Sequence, residues 1–475
     1  MPAREVGLPA ELPAELAAGL AAIRTELEVP EEFPADVVAA AEQAAASPRL
    51  PDLDRTDLDF VTIDPEGSRD LDQAVHIARD GSGFVISYAI ADVAAFVTAG
   101  DPVDLEAHRR GMTLYAPNRR TPLHPPALSE GAASLLPDQV RPALLWTIRV
   151  NERARMTGAE VNRALVRSRA QLSYVEAQAE IDSGTPRETL ALLSLVGRWR
   201  ERREVERGGV SLQTPEQEVV ADDSGWRLVF RAPLPVEGWN AQISLLTGMA
   251  AAHLMLYGQI GVLRTMPPAD PGALRRLRQT ARALSIRWPA ELDYPDFVRS
   301  LDPEQPREAA MLNACTALFR GAGYKAFSGG LPEEAEHAAL ANDYSHVTAP
   351  LRRLVDRYAG EVCVALCEDR PVPEWVRQRL DGLPEEMAAA ERRAKRYERA
   401  VIDLVEAFLL QHRVGEVFPG TVVEVDRERD RGTVVVPEPA ISAKVNGSHL
   451  PLGEQVAVRL ANADPTKGVV AFELA

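Results

Sequence analysis

Cysteine is scarce in this chain: Cys315, Cys363 and Cys367 are the only three in 475 residues. So odd and sparse a set makes no disulfide framework. It suits a reducing compartment, and a cytoplasmic protein is expected. Cys363 and Cys367 lie four apart, but no histidine stands at ligand spacing from them, which points to buried thiols rather than a zinc site. Long apolar runs are missing too. Nothing approaches the length of a membrane span, and no apolar core follows the first five residues, so neither a membrane protein nor a secretory leader is expected. Positive charge is in short supply, 53 Lys and Arg against 70 Asp and Glu, a net −17. Spread evenly, that excess would speak against a polyanionic partner. Yet residues 1–60 carry 13 acidic and only 4 basic side chains, more than half of the excess. Elsewhere arginines cluster at 119–120, 198–207, 275–278, 352–353 and 392–399. A few of these lining one groove would suffice for a polyanion.

What the chain has is core material, 46% hydrophobic and 26% charged, at a length that suits two to four domains. Its most informative stretch runs from Phe60 to Ala74. Val61 to Ile63 read as a short strand, and Pro65-Glu66-Gly67-Ser68 as a turn. Asp70 and Asp72 alternate with Leu71, so in extended chain both face one way. A strand end, a turn and a return bring Asp64 towards them. Carboxylates that close resist ionising unless a cation lies between them. Hard oxygen ligands in a small cluster suit Mg²⁺ or Mn²⁺. From spacing alone, an Asp-rich surface turn stays the commoner outcome.

Thr62 to Glu66, followed by Arg69 to Ala74, resembles the signature of the ribonuclease II and ribonuclease R family. That signature is one Asp, five residues, then Asp-x-Asp-Asp. Three acids match, and the fourth position is Gln73. The likeness continues along the chain. Gly83 to Val93 resembles the family's second strand, and Asp92 in it is expected to be a hydrogen-bonded structural carboxylate. The stretch from Arg109 through Tyr115 to Pro137 keeps the family's order, and Tyr115 matches an aromatic that contacts bases near the scissile end. Tyr174 falls on another family aromatic. The base-stacking Phe of some members is Leu212 here. A helix that usually begins with two glutamates has Ala241 and Gln242 in those places, with Gly248 for a later Asn, so a ribose contact there is lost or altered. Tyr344 to Arg353, with Asp356, resembles a second family run. Pro350 is expected in the first turn of a helix, capped by Thr348 because the family's Ser is Ala349. Arg352 and Arg353 would then make a phosphate site beside positive N-terminal amides. Glu398, on a long helix from Pro384 to His412, matches a channel-lining glutamate.

The resemblance implies an α+β chain in three parts. Residues 1–50 form a small helical segment, residues 51–415 a catalytic domain of mixed sheet with surrounding helices, and residues 416–475 an S1-like OB barrel of short strands. The family's pair of cold-shock barrels does not fit in the roughly 30 residues ahead of the linker helix. The implied activity is a metal-dependent 3′→5′ exoribonuclease that releases nucleoside 5′-monophosphates from single-stranded RNA, or from structured RNA with a 3′ overhang. Asp64, Asp70, Asp72 and Gln73 would hold Mg²⁺ or Mn²⁺, and Arg352 would stabilise the phosphorane. Tyr115, Tyr174, Arg353 and Glu398 would line the RNA path, in a monomer. Gln73 implies weaker Mg²⁺ binding and a preference for Mn²⁺. Two other readings stand beside this one: an RNA-binding protein that keeps the fold without catalysis, and a regulator binding nucleic acid through the two N-terminal helices. The acidic character of those helices counts against the regulator.

Overall fold

The computed structural model describes residues 13–116, 119–211, 216–222, 225–231, 233–303, 305–426, 428–438 and 440–475. Leu212 lies outside them. In the first part of the chain the strands are β1 (Phe60–Asp64), β2 (Gln73–Asp80), β3 (Gly83–Ala91), β4 (Leu114–Ala116), β5 (Arg119–Thr121), β6 (Val140–Val150) and β7 (Met156–Ser173). Five of them close into a barrel in the order β1-β2-β3-β6-β7, while β4 and β5 make a separate hairpin. β1 runs parallel to β7, from Phe60 opposite Ser168 to Asp64 opposite Ser173. The other barrel pairings are antiparallel. The sheet is therefore mixed, as the resemblance implies, and the parallel pair is what closes it.

Ile86, Trp146, Ile148 and Val161 of the barrel are fully buried in one core with residues of the helices Glu188–Glu206, Pro235–Gly258 and Leu354–Cys367. Burying a side chain of this size contributes about 1.5–3 kcal/mol. Pro235 sits in the first turn of its helix, where its missing N–H costs nothing. Further along, Gly248 is forced by close approach: a Cβ there would overlap the Tyr344 ring and the Ser345 carbonyl. The Asn of the resembled pattern has no room at this position.

The N-terminal helices Ala14–Glu26 and Ala35–Ala46 spend their apolar stripes on the body of the protein. Leu16 and Leu20 pack in a core with Leu404 of the helix Leu383–Leu410. Val37 and Ala41 pack in another with Phe60 and Leu71. Between the two helices, Arg110 lies 3.7 Å from the Phe33 ring centroid and donates to the Glu32 carbonyl at 3.0 Å. Arg119 donates to the Glu31 carbonyl. The segment is thus tied to the β4–β5 hairpin.

Residues 416–475 hold five strands, Val417–Asp426, Arg431–Val436, Ile441–Asn446, Gln455–Asp464 and Val469–Leu474, in a second closed barrel. This is the expected OB-type barrel. Ile441–Asn446 turns Ile441, Ala443 and Val445 inward, alternating with polar residues. Among the described residues no helix is long and apolar enough to cross a membrane. Cys315 and Cys363 are buried and Cys367 is half-buried, all three as free thiols.

Candidate functional site

Asp64 ends β1 and Gln73 begins β2, so the eight residues between them form a loop at one end of the barrel. Borrowed partners hold that loop. Ser134 Oγ donates to the Arg69 carbonyl at 2.6 Å and accepts from Leu71 N–H at 2.9 Å. Gln171 donates to the Ser68 carbonyl at 2.7 Å. Leu71 is fully buried, which turns Asp70 and Asp72 away from the core it occupies.

Asp72 is 1% exposed and has partners on both oxygens. Oδ1 accepts from Leu351 N–H at 2.8 Å, and Oδ2 accepts from Arg352 Nε at 2.8 Å. Burial pushes its carboxyl up to about 7, against the pull of Arg352 and the Leu351 amide. Asp70 accepts from Arg120 Nη1, and the same guanidinium reaches Glu130 Oε1 at 3.0 Å. Gln73 Oε1 accepts from the buried Tyr88 hydroxyl.

Arg352 is the centre of this arrangement. Burial alone would lower its pKa, but Tyr115, Asp72, Asp70 and Asp64 around it raise it well above the ordinary arginine value. Its side chain is 29% exposed, so the group is not sealed from solvent. Burial raises the Tyr115 phenol, with Arg352 and Arg120 opposing and Asp70 and Asp72 adding. Tyr174 is likewise raised by burial, next by Asp64, with Arg352 and Asn240 opposing. Tyr174 opens a helix whose cap is a reciprocal box: Ser173 Oγ accepts from Glu176 N–H at 3.1 Å, and Glu176 accepts from Ser173 N–H at 2.8 Å. Tyr115 is delivered by backbone pairing. Thr113 N–H donates to the Arg352 carbonyl at 2.9 Å, and Leu354 N–H to the Gly111 carbonyl at 3.0 Å.

The segment around Arg352 departs from expectation. The helix opens at Leu354, not at Pro350, and Thr348 does not cap it; its hydroxyl bonds Ser244 at 2.8 Å. The physical reason is that two carboxylates, one in the helix's own first turn and one from the loop before β2, satisfy this stretch. Asp356 Oδ1 accepts from Ala349 N–H at 2.7 Å, as Asp72 does from Leu351 N–H. Arg352 and Arg353 therefore precede the helix. Arg353 is engaged by both oxygens of the buried Asp356, at 2.8 and 2.9 Å. Glu398 is exposed on the helix Leu383–Leu410, one residue beyond buried Tyr397. Asp92 is a structural carboxylate as expected, 1% exposed and bonded by Arg163 Nε at 2.8 Å. Gln242 is turned to Glu204, at 2.6 Å, and is buried there, while Ala241 is exposed.

The structure thus gathers Asp64, Asp70, Asp72, Gln73, Tyr115, Tyr174 and Arg352. Sequence reasoning left out Arg120, Glu130 and Tyr88. The Arg119-Arg120 pair was visible as an arginine cluster, but its bond to Asp70 was not. Among the described residues no group of three or more His, Cys, Asp or Glu side chains is arranged to hold a metal ion. With Asp72 bonded on both oxygens, Asp70 bonded by Arg120 and Gln73 by Tyr88, the expected ligand set does not fit a divalent cation in this arrangement.

Comparison with known proteins places the fold. The RNB domain model matches residues 53–366, and the model of the RNase II-type exonuclease C-terminal S1 domain matches residues 416–475. Ribonuclease R of Aquifex aeolicus is 28% identical over 94% of this chain and 66% of its own length. Ribonuclease R of Escherichia coli is 26% identical over 83% and 51%. The chain spans between about half and two thirds of these relatives. Mycoplasma genitalium RNase R in complex with ribose-methylated single-stranded RNA superposes with a TM-score of 0.86 at 19% identity, covering 97% of this chain and 78% of that one. Yeast Ssd1, a pseudonuclease, superposes at 0.71 and 16% identity, covering 96% and 58%. With most of its length matched in this way, the chain belongs to the RNB family, its RNB domain followed by an RNase II-type S1 domain.

Proposed function

We propose that this protein hydrolyses single-stranded RNA from its 3′ end and releases nucleoside 5′-monophosphates. The observation that carries the reading is the convergence on Arg352 of Tyr115 and of Asp72, Asp70 and Asp64, from two stretches of chain far from it in sequence. Phosphodiester hydrolysis builds charge on the non-bridging oxygens. A guanidinium whose fork is oriented by a buried carboxylate is a preorganised donor for it. Asp72 does that orienting. Its own carboxyl, pushed up to about 7 by burial, changes charge near neutral pH, so Arg352 is held most firmly above that value. Tyr115 and Tyr174 offer π-faces, the sequence-tolerant means of seating single-stranded bases. Arg353, clamped on Asp356, holds the turn that presents Arg352, and Glu398 lies on a helix flanking the path. Divalent metal would supply the remaining charge neutralisation and an activated water, but no step is drawn through it, because the ligands as arranged do not fit the ion.

That misfit favours a second reading, a protein that binds RNA in the same cleft without turning it over. One experiment separates the two. Single-stranded RNA labelled at its 5′ end is incubated with Mg²⁺, with Mn²⁺ and with EDTA. Laddering from the 3′ end with mononucleotide release supports the nuclease. Retention of intact RNA under all conditions, with measurable binding, supports the second reading.

A further inference from the structure

Arg120 places its guanidinium directly on Asp70. Its Nη1 donates to Asp70 Oδ1 and its Nη2 to Glu130 Oε1, so one guanidinium bridges two carboxylates. A second basic group, Arg69, lies 3.8 Å from the other Glu130 oxygen. Carboxylates crowded together need a positive charge between them, and here the chain supplies it. We propose that Arg120 is the resident cation of this cluster, and that a divalent ion reaches Asp70 only once an RNA phosphate has drawn the guanidinium away. The proposal rests on the reading above, that an RNA phosphate enters this cleft.

Three features support it. The first is exclusion. While Nη1 donates to Oδ1, that oxygen is taken, and a guanidinium beside the carboxylate repels a second cation. Gln73 is no replacement ligand, since its carbonyl accepts from Tyr88 and brings no charge. The second is placement. Tyr115 and Arg120 are direct cross-strand partners in the β4–β5 hairpin. A base seated on Tyr115 therefore brings its phosphate within the reach of Arg120, whose planar fork suits phosphate as well as carboxylate. The third is freedom to move. Arg120 lies on a hairpin of only three residue pairs, and its side chain is 21% exposed. Linkage then requires reciprocity: RNA tightens metal binding by the factor with which metal tightens RNA.

The test is Mn²⁺ binding, read from the electron paramagnetic resonance signal of the free ion. The wild-type chain, Arg120→Met and Arg120→Lys are compared, each alone and with single-stranded RNA carrying phosphorothioate linkages at its 3′ end. Alone, wild type binds Mn²⁺ weakly, and Arg120→Met binds it about tenfold more tightly. RNA tightens Mn²⁺ about tenfold in wild type but less than threefold in Arg120→Met. Arg120→Lys keeps a cation and stays weak. Circular dichroism and thermal melting check that each variant is folded. Equal Mn²⁺ affinity of wild type and Arg120→Met without RNA overturns the proposal, as does tight binding by Arg120→Lys. RNA affinity is measured separately in EDTA. Its absence would sink the functional reading, whereas the RNA-free comparison of Arg120 variants still decides this one.

Discussion

Arg352 and Asp72 stand 280 positions apart in the chain, yet Arg352 Nε donates to Asp72 Oδ2 at 2.8 Å. The carboxylate also takes the Leu351 N–H, so it holds both the backbone and the side chain of the turn before the helix Leu354–Cys367. Replacing Asp72 with Asn keeps the shape and removes the charge that orients the fork. Hydrolysis is expected to fall by about 100-fold or more, on the scale of losing one aligned charge-stabilising donor. RNA affinity in EDTA should change by less than about threefold, because contacts that position phosphate survive. Near-normal turnover by Asp72→Asn would remove this pair from the chemistry.

Tyr115 should act through its ring rather than its hydroxyl. Its phenol is raised by burial and keeps its proton throughout the working range. Tyr115→Ala should weaken binding of a short single strand about tenfold, the lower part of the ~1–3 kcal/mol measured for base–aromatic stacking. Tyr115→Phe should bind as wild type does. A large loss in Tyr115→Phe, seen by fluorescence anisotropy, would make the hydroxyl the functional group instead.

Gly248 is where the Tyr344 ring and the Ser345 carbonyl meet the helix Pro235–Gly258. Gly248→Ala forces a methyl into that contact, and overpacking of this kind costs about 1–3 kcal/mol. Tm should drop by several degrees. An unchanged Tm would mean that the 344–345 backbone yields without cost.

His124 gives the fold an acid-sensitive point. It is 1% exposed, and burial lowers its imidazole to about 3, with Arg357 adding to the shift and the Pro350 carbonyl opposing it. The folded value lies below the ordinary ~6.5, so below that pH the unfolded chain binds the extra proton. Its contribution to stability is therefore lost as pH falls from about 6.5 towards 3, by up to about 1.4 kcal/mol per pH unit. His124→Asn should flatten the fall of Tm between pH 7 and 5. An identical slope in the variant would assign the acid sensitivity to other groups, such as half-buried His346, also held well below its ordinary value by burial and by Arg353.

The family, the order of its parts and most of the site were legible in the residues, because local pattern decides them. Val61 to Ile63 makes a strand and Pro65 to Ser68 a turn whatever surrounds them, and the spacing of Asp64, Asp70 and Asp72 follows. Leu16 and Leu20, or Val401 and Leu404, mark buried helix faces by their period alone. What tertiary structure decided is who bonds whom over long separations. Nothing local shows that β1 pairs in parallel with β7 to close a barrel, or that Leu351 N–H turns to Asp72, so that the helix opens at Leu354 rather than at Pro350. Gly248 reads as a lost side chain in the sequence and as a required absence once Tyr344 lies against it. Arg120 reads as one arginine among 53 basic residues. Its place on Asp70 depends on a hairpin docked between the N-terminal segment and the barrel end. Charge pairing of this kind is set by three-dimensional proximity and dielectric, which no spacing rule in a single chain encodes.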